Sequence, residues 1–224
     1  MIYKDMPNEI IKSWEKNASE WVKVIDAQRI ASRKFTNPAI LQVLKDTPSR
    51  RILDIGCGEG WLTRSITAMG KQGVGLDAIG PLLENARQKG PESFYQMSYE
   101  DIMAGRTVPE APYDSIVFNF CLYQDKGLTE LFRATKKALS SNGSIVVQTL
   151  HPYFLLDNGL AYKSQAITDS WKGLPGNFKD GHRWYARTVE DWFFVFAESH
   201  MKVIDLKEIT DDKGQPISLI LKAI

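Results

Sequence analysis

The amino-acid sequence predicts an α/β protein: a doubly wound, seven-stranded sheet, mostly parallel with an antiparallel last strand, preceded by helices and interrupted by an insertion. Three observations predict it. The apolar run RILDI at 51–55 breaks into the glycine turn GCGEG at 56–60 and resumes as a helix-patterned segment. Strand-like and helix-like patterns then alternate, as parallel strands with covering crossovers require. The alternation fails once, at 151–186, in a stretch with no clean period and seven aromatic residues.

Taken in order, residues 8–30 place Ile10, Ile11, Trp14, Ala18, Trp21, Val22 and Ile25 three or four apart, the apolar stripe of one helix or two short ones. Asn8, after Pro7, is expected to cap it. A second helical patch at 38–44 has Asn37 as N-cap and Pro38 at the first helical position, and should pack beneath the sheet. After the turn, a helix at 61–69 stops at Gly70. A strand at 73–76, a helix at 81–89 ended by Gly90, and a strand at 93–97 repeat the unit. A short helix near 101–104, a strand at 113–120, a helix at 128–139 and a strand at 144–150 follow, with Ser141-Asn142-Gly143 read as a turn. Thr188 should cap a helix running to about His200, with Glu190 and Asp191 favoured by its dipole. Strands at 201–209 and 217–224, joined by the loop DDKGQP, make the last strand antiparallel.

Composition narrows the function. The 224 residues suffice for one sizeable core, and 43% hydrophobic with 25% charged residues is the balance of a folded, soluble chain. Lys plus Arg (28) nearly cancel Asp plus Glu (27), so no global basic field draws in nucleic acid or an anionic membrane. The charged opening MIYKDMPNEIIKSWEK lacks an apolar core, so neither a signal peptide nor a membrane anchor is expected, and the location expected is cytoplasmic. Cys57 and Cys121 are too few for a disulfide framework, and no zinc spacing occurs, so reduced thiols and no metal are expected.

A strand entering glycines and then a helix lets backbone approach a ligand at the carboxyl edge of the sheet. Here the pattern is GxGxG, and Trp61 stands where a dinucleotide site needs a small residue for close helix packing. Asp54, two residues ahead of Gly56, would repel phosphates and attract an amine. Asp77 ends the next strand, 23 positions later, where an acid can accept from both ribose hydroxyls. The ligand expected is an amine-bearing nucleoside without a pyrophosphate; S-adenosylmethionine has that chemistry.

LDIGCGEG, GVGLD, SYEDI and YDSIVFNFCLYQ, in this order, resemble the motifs of class I S-adenosylmethionine-dependent methyltransferases. More narrowly they are similar to the small-molecule group that includes the ubiquinone-biosynthesis methyltransferases. The resemblance covers about residues 51–150 and implies a Rossmann-like fold, S-adenosylmethionine as cofactor and S-adenosylhomocysteine as product. It implies that Asp54 and the backbone of Gly56, Cys57 and Gly58 hold the methionine end, that Asp77 holds the ribose, and that Ala78 lies against the adenine. Ser98 stands where an aspartate often faces the adenine amino group, so that contact weakens or moves to Glu100 or the backbone near Tyr99. Asn119 and Phe120 would line the methyl end. In the resembling group the N-terminal segment folds over the cofactor, making Arg33 a candidate partner for its carboxylate, whereas Trp14 and Trp21 read by themselves as core. Residues 1–49 then form a helical cap, 51–150 the cofactor core, 151–187 a substrate lid, and 188–224 the last helix and hairpin of a single domain.

Methyl transfer mainly needs alignment and exclusion of water, and a base helps when the acceptor is a hydroxyl or an amine. Of the three histidines, His200 reads as structural, His182 as either a base or a surface residue, and His151, directly after the fifth strand, as the candidate base. Tyr153, Trp184 and Tyr185 are expected as acceptor walls, Arg187 as an anchor for an acidic group, and Tyr123 as facing the pocket. The expected activity is methylation of a small-molecule hydroxyl or amine by a monomer or homodimer, without nucleic acid or membrane. An RNA-modifying methyltransferase and a non-catalytic S-adenosylmethionine-binding regulator are the alternatives.

Overall fold

The computed structural model describes residues 6–224; the first five residues of the charged opening stretch lie outside the described residues. Two helices, α1 (Met6–Asp26) and α2 (Arg33–Asp46), precede the sheet. Asn8 lies inside α1, which already includes Met6, and does not cap it. Likewise α2 begins at Arg33, which puts Asn37 and Pro38 inside it. The amide hydrogen that Pro38 lacks would have bonded the Lys34 carbonyl, on an exposed residue of the first turn where water can take its place. Asn37 instead accepts from Arg33 Nε at 3.3 Å.

Five parallel strands form the centre: β1 (Arg51–Ile55), β2 (Gln72–Asp77), β3 (Ser93–Gln96), β4 (Tyr113–Asn119) and β5 (Leu139–Leu150). Helices α3 (Trp61–Ala68), α4 (Gly80–Lys89), α5 (Tyr99–Met103) and α6 (Leu128–Lys136) connect them. Ser141, Asn142 and Gly143 run within β5 instead of forming a turn, because Leu139 already pairs with Tyr113 and the ladder accommodates one irregularity before Ser115. The insertion carries α7 (Tyr153–Asp157) and a small antiparallel pair, β6 (Gln165–Ile167) with β7 (Trp184–Ala186). Elements of three to five residues are too short to leave a period in the sequence. The chain ends with α8 (Val189–Glu198), capped by Thr188 Oγ1, then β8 (Val203–Thr210) and β9 (Pro216–Ala223).

Strand order in the seven-stranded sheet is β3-β2-β1-β4-β5-β9-β8. The last strand, β9, is antiparallel to both neighbours and lies between them, with Val147 opposite Leu221. Alternate residues of each central strand face opposite layers. Leu53, Ile116 and Val147 meet Phe132 of α6 and Phe196 of α8, whose rings stack at 5.0 Å. Ile52, Val117 and Val146 meet Ile40 and Leu44 of α2 and Ile66 of α3, so α2 packs beneath the sheet as expected.

Residues at opposite ends of the chain close the carboxyl edge together. Asn17 of α1 donates to the Lys179 carbonyl at 2.7 Å and accepts from the Lys179 amide at 2.8 Å. Ser13 donates to the Asp180 carbonyl at 2.7 Å and accepts from Trp171 Nε1 at 2.9 Å. Arg183 makes a two-pronged pair with Glu9 at 3.0 and 3.1 Å.

The glycine turn is set by packing as well as by ligand access. Gly60 has φ +80°, and a Cβ there would sit 2.7 Å from the Phe94 ring and 3.0 Å from Ala86 Cβ. Gly60→Ala is expected to cost about 2–4 kcal/mol, combining left-handed strain with overpacking, read as a lower urea midpoint.

Candidate active site

β1 carries Asp54 to the carboxyl edge, and the turn after it folds back on β2. The amides of Gly56 and Cys57 both donate to the Leu76 carbonyl, at 2.8 and 3.0 Å. Gly56 has φ +74°, and a Cβ there would lie 2.5 Å from Cys121 Cβ, so no larger residue fits. Cys57 is buried, which pushes its thiol pKa well up; it fills space and does not act as a nucleophile. Gly58 is open: a Cβ on it would meet nothing nearer than Trp21 Nε1 at 4.0 Å, across the mouth of the site. Asp77 holds the turn, Oδ2 accepting from the Gly58 amide and Oδ1 from the Ile79 amide, both at 2.8 Å. Each carboxylate oxygen retains a second lone pair for a ligand.

Asp54 is 1% exposed, and Oδ2 accepts from Thr63 Oγ1 at 2.8 Å while Oδ1 has no partner. Burial, reinforced by the charges of Asp77 and Glu59, pushes its pKa up to about 7. Buried around the same cavity, Arg33 Nη1, Glu59 Oε1 and Asn119 Oδ1 are also unpaired. Arg33 stacks over the Trp61 ring at 4.7 Å, and Glu59 accepts from Arg64 Nη2 at 2.9 Å. An unpaired buried polar atom costs about 1–3 kcal/mol, so a cluster of them is explained by what it binds. A cation at Arg33 and anionic or carbonyl oxygens at Asp54 and Asn119 suit the carboxylate and ammonium of an amino acid. The residues present therefore fit the methionine end of S-adenosylmethionine.

Farther along the edge, Ala78, with Ile11, Trp14 and Trp21 of α1, is half-buried against the cluster of Ala18, Ile79 and Leu82. Trp14 and Trp21 meet edge-to-face at 5.0 Å, pack against the Ala18, Ile79 and Leu82 cluster as a core stripe would, and also line the cavity. The Ser98 hydroxyl caps α5, accepting from the Asp101 amide at 3.1 Å, while Asp101 accepts from the Ser98 amide at 3.0 Å. Glu100 is exposed at the rim of the cavity. Tyr99 donates to the Cys121 carbonyl at 3.1 Å. Phe120 turns the chain out of β4 with φ +52°, and its carbonyl accepts from the Tyr123 hydroxyl.

The cavity, about 1200 Å³, continues under the insertion. There His151 is committed on both sides of its ring. Nδ1 accepts from the Tyr153 amide at 3.0 Å, which puts the proton on Nε2, 2.8 Å from Glu208 Oε1 of β8. No lone pair is left for an acceptor, so the expectation that His151 is the base gives way to a role tying the insertion to the sheet. Tyr153 is absent from the cavity wall; its neighbour Phe154 is there, 5.4 Å from the Trp184 ring. Tyr123, Trp184 and Tyr185 do line it. Arg187 is 5% exposed, with its guanidinium 4.9 Å from the Tyr185 ring and 5.5 Å from that of Trp192. Its Nη2 donates to the Asp125 carbonyl at 2.9 Å, Nε is 3.5 Å from Asp191 Oδ2, and Nη1 has no partner. Among the described residues no His, Cys, Asp and Glu group is placed to hold a metal.

A methyltransferase domain model matches residues 26–211. The chain belongs to the class I S-adenosylmethionine-dependent methyltransferases. A malonyl-[acyl-carrier protein] O-methyltransferase from Legionella pneumophila is 32% identical to this methyltransferase over 149 residues, 65% of the chain and 51% of the relative. A ubiquinone biosynthesis O-methyltransferase from Xanthomonas oryzae is 31% identical over 111 residues, 47% of the chain and 45% of the relative. The chain thus spans about half the length of the curated relatives it matches. A solved structure described as the DhpI–SAM–HEP complex, 16% identical, superposes with a TM-score of 0.72 over 100% of both chains, which identifies the fold.

Of the residues expected at the cofactor, the methyltransferase brings Arg33, Asp54, Gly56, Cys57, Gly58, Asp77, Ala78, Ser98, Tyr99, Asn119 and Phe120 around one cavity. Glu59, within the glycine turn, lines the cavity as well. Trp171 and Ser170, from the insertion, also line it. The number of aromatics in the insertion was the available signal for the first; nothing local pointed to the second.

Proposed function

We propose that this protein transfers a methyl group from S-adenosylmethionine to a hydroxyl or amine of a small molecule enclosed between α1, the insertion and the carboxyl edge of the sheet. The unpaired Arg33, Asp54 and Asn119 groups around the cavity carry this reading. When bound, the cofactor supplies a methyl carbon made electrophilic by the positive sulfur. Arg33 pairs with its carboxylate, Asp54 and Asn119 accept from its ammonium, and Asp77 accepts from the ribose hydroxyls. Trp14, Trp21 and Trp171 exclude water from the reacting atoms. Arg187, with Nη1 unpaired beside Tyr185, anchors an acidic group of the acceptor. That the two relatives above are O-methyltransferases supports an oxygen acceptor. No helix among the described residues is long and apolar enough to cross a membrane, which is compatible with a cytoplasmic location.

Thermal melting tests the donor. S-adenosylhomocysteine at 100 times its Kd is expected to stabilise the protein by about 2.7 kcal/mol, roughly 5–10 °C for a chain of this size, and NAD to leave the midpoint unchanged. Stabilisation by NAD without stabilisation by the adenosyl ligand contradicts the reading.

A further inference from the structure

Cofactor retention and anion anchoring leave one pair of side chains in the cavity without a role. Ser170 and His182 close a loop of the insertion: the Ser170 amide donates to the His182 carbonyl at 2.9 Å, and Ser170 Oγ lies 2.9 Å from His182 Nδ1. His182 is 3% exposed, yet it lines the cavity. Its ring meets Tyr123 at 5.2 Å, Trp171 at 5.8 Å and Trp14 at 6.5 Å. Nε2 is buried with no partner. The Tyr123 hydroxyl donates to the Phe120 carbonyl, next to Asn119, and His182 and these three residues all line the same cavity.

We infer that His182 Nε2 takes the proton of an acceptor hydroxyl, and that Ser170, by accepting from Nδ1–H, is the positioning residue that keeps the Nε2 lone pair free. The acceptor is then a hydroxyl compound in preference to an amine. This rests on the methyltransferase reading above. In the step, His182 Nε2 removes the O–H proton as the oxygen lone pair bonds the methyl carbon and the sulfur keeps the electron pair of the broken carbon–sulfur bond. The imidazolium then releases the proton to water. A hydroxyl becomes strongly acidic as its oxygen gains the carbon, so a weak base suffices, whereas an alkylamine arrives protonated at neutral pH and needs a stronger base to free its lone pair. Burial pushes the His182 pKa down to about 4 against the opposing charges of Glu9, on α1, and Asp169, beside Ser170. Glu9 is itself paired with Arg183, and Tyr123, whose pKa burial raises, is neutral. The ring therefore stays unprotonated across the neutral range and returns its proton readily.

Two substitutions separate a chemical role from a structural one. Asn reproduces the Nδ1 position and so preserves the bond to Ser170; Gln places an acceptor near Nε2. Nitrogen NMR on the full chain carrying ¹⁵N-histidine is expected to find the His182 proton on Nδ1 and a neutral ring from pH 5.5 to 8, with tautomers mixing in Ser170→Ala. In the presence of S-adenosylhomocysteine, at least one of the three isomeric hydroxybenzoates is expected to bind about tenfold tighter than benzoate. His182→Gln should keep most of that preference and His182→Asn should lose it, with S-adenosylhomocysteine affinity equal in all three proteins. A proton on Nε2, no hydroxyl preference in the wild type, or an undiminished preference in His182→Asn overturns the inference. Failure of S-adenosylhomocysteine to bind the wild type overturns the underlying methyltransferase reading, and this inference with it.

Discussion

Asp54→Asn is expected to weaken S-adenosylhomocysteine binding roughly 10- to 100-fold and, at pH 8, to raise the melting point of the free protein. The two effects have one origin. In the folded chain the Asp54 carboxyl is raised from 3.8 to about 7 by burial. The folded state thus holds this proton more tightly than the unfolded state. The stability it contributes is complete below about pH 4 and is lost as pH rises through 7, on the order of 4 kcal/mol in all. Asn keeps the bond from Thr63 without the charge, so the free variant escapes that loss. It also forfeits a charge-assisted bond to the ligand ammonium, which sets the expected drop in affinity. Wild-type affinity should rise with pH through 7 as Asp54 ionises, and the variant should be flat. Calorimetry between pH 5.5 and 8.5 measures both; an equally pH-dependent variant would remove Asp54 from the ammonium site.

Asp77→Ala is expected to have the largest effect on binding, a loss of roughly 10²–10⁴-fold. The carboxylate does two things at once. It accepts from the Gly58 and Ile79 amides, fixing the turn, and in the proposed complex its remaining lone pairs accept from the ribose hydroxyls. Ala removes the ligand acceptors and leaves both amides without their partner. Asp77→Asn retains one carbonyl oxygen, so it should fall between Ala and wild type. Equal affinity of Asp77→Ala and wild type for S-adenosylhomocysteine, measured by titration calorimetry, would falsify this account of the ribose site.

The cofactor half of the site was readable because it is nearly local. Asp54, the glycines and Asp77 fall within one strand-turn-helix-strand unit, and parallel pairing of β1 with β2 brings them together without help from elsewhere. The acceptor half was not, because its partners are remote. His151 was placed correctly at the end of β5, but the side chain that occupies its Nε2 comes from β8, 57 residues later. The Ser170–His182 pair depends on a loop of the insertion that leaves no periodic trace. Trp14 and Trp21 carry a helical stripe that reads as core; they do pack against Ala18, Ile79 and Leu82, and only the placement of α1 shows that they line the cavity as well. In the fold, Asn8, the Asn37-Pro38 pair and Ser141-Asn142-Gly143 do not punctuate the chain as their local chemistry suggests. All are strong local signals overridden by context, the first two by helices that begin earlier, the last by strand pairing with β4.

The bonds joining α1 to residues 171–183 link chain segments more than 150 positions apart, and both segments line the one cavity. Neither can lift away without breaking the Asn17–Lys179 exchange and the Arg183–Glu9 pair. On the proposed function the two segments therefore open together. On that same proposal, release of the spent donor and release of the methylated product then share a single opening event, and loosening this seam is expected to speed or slow both departures together.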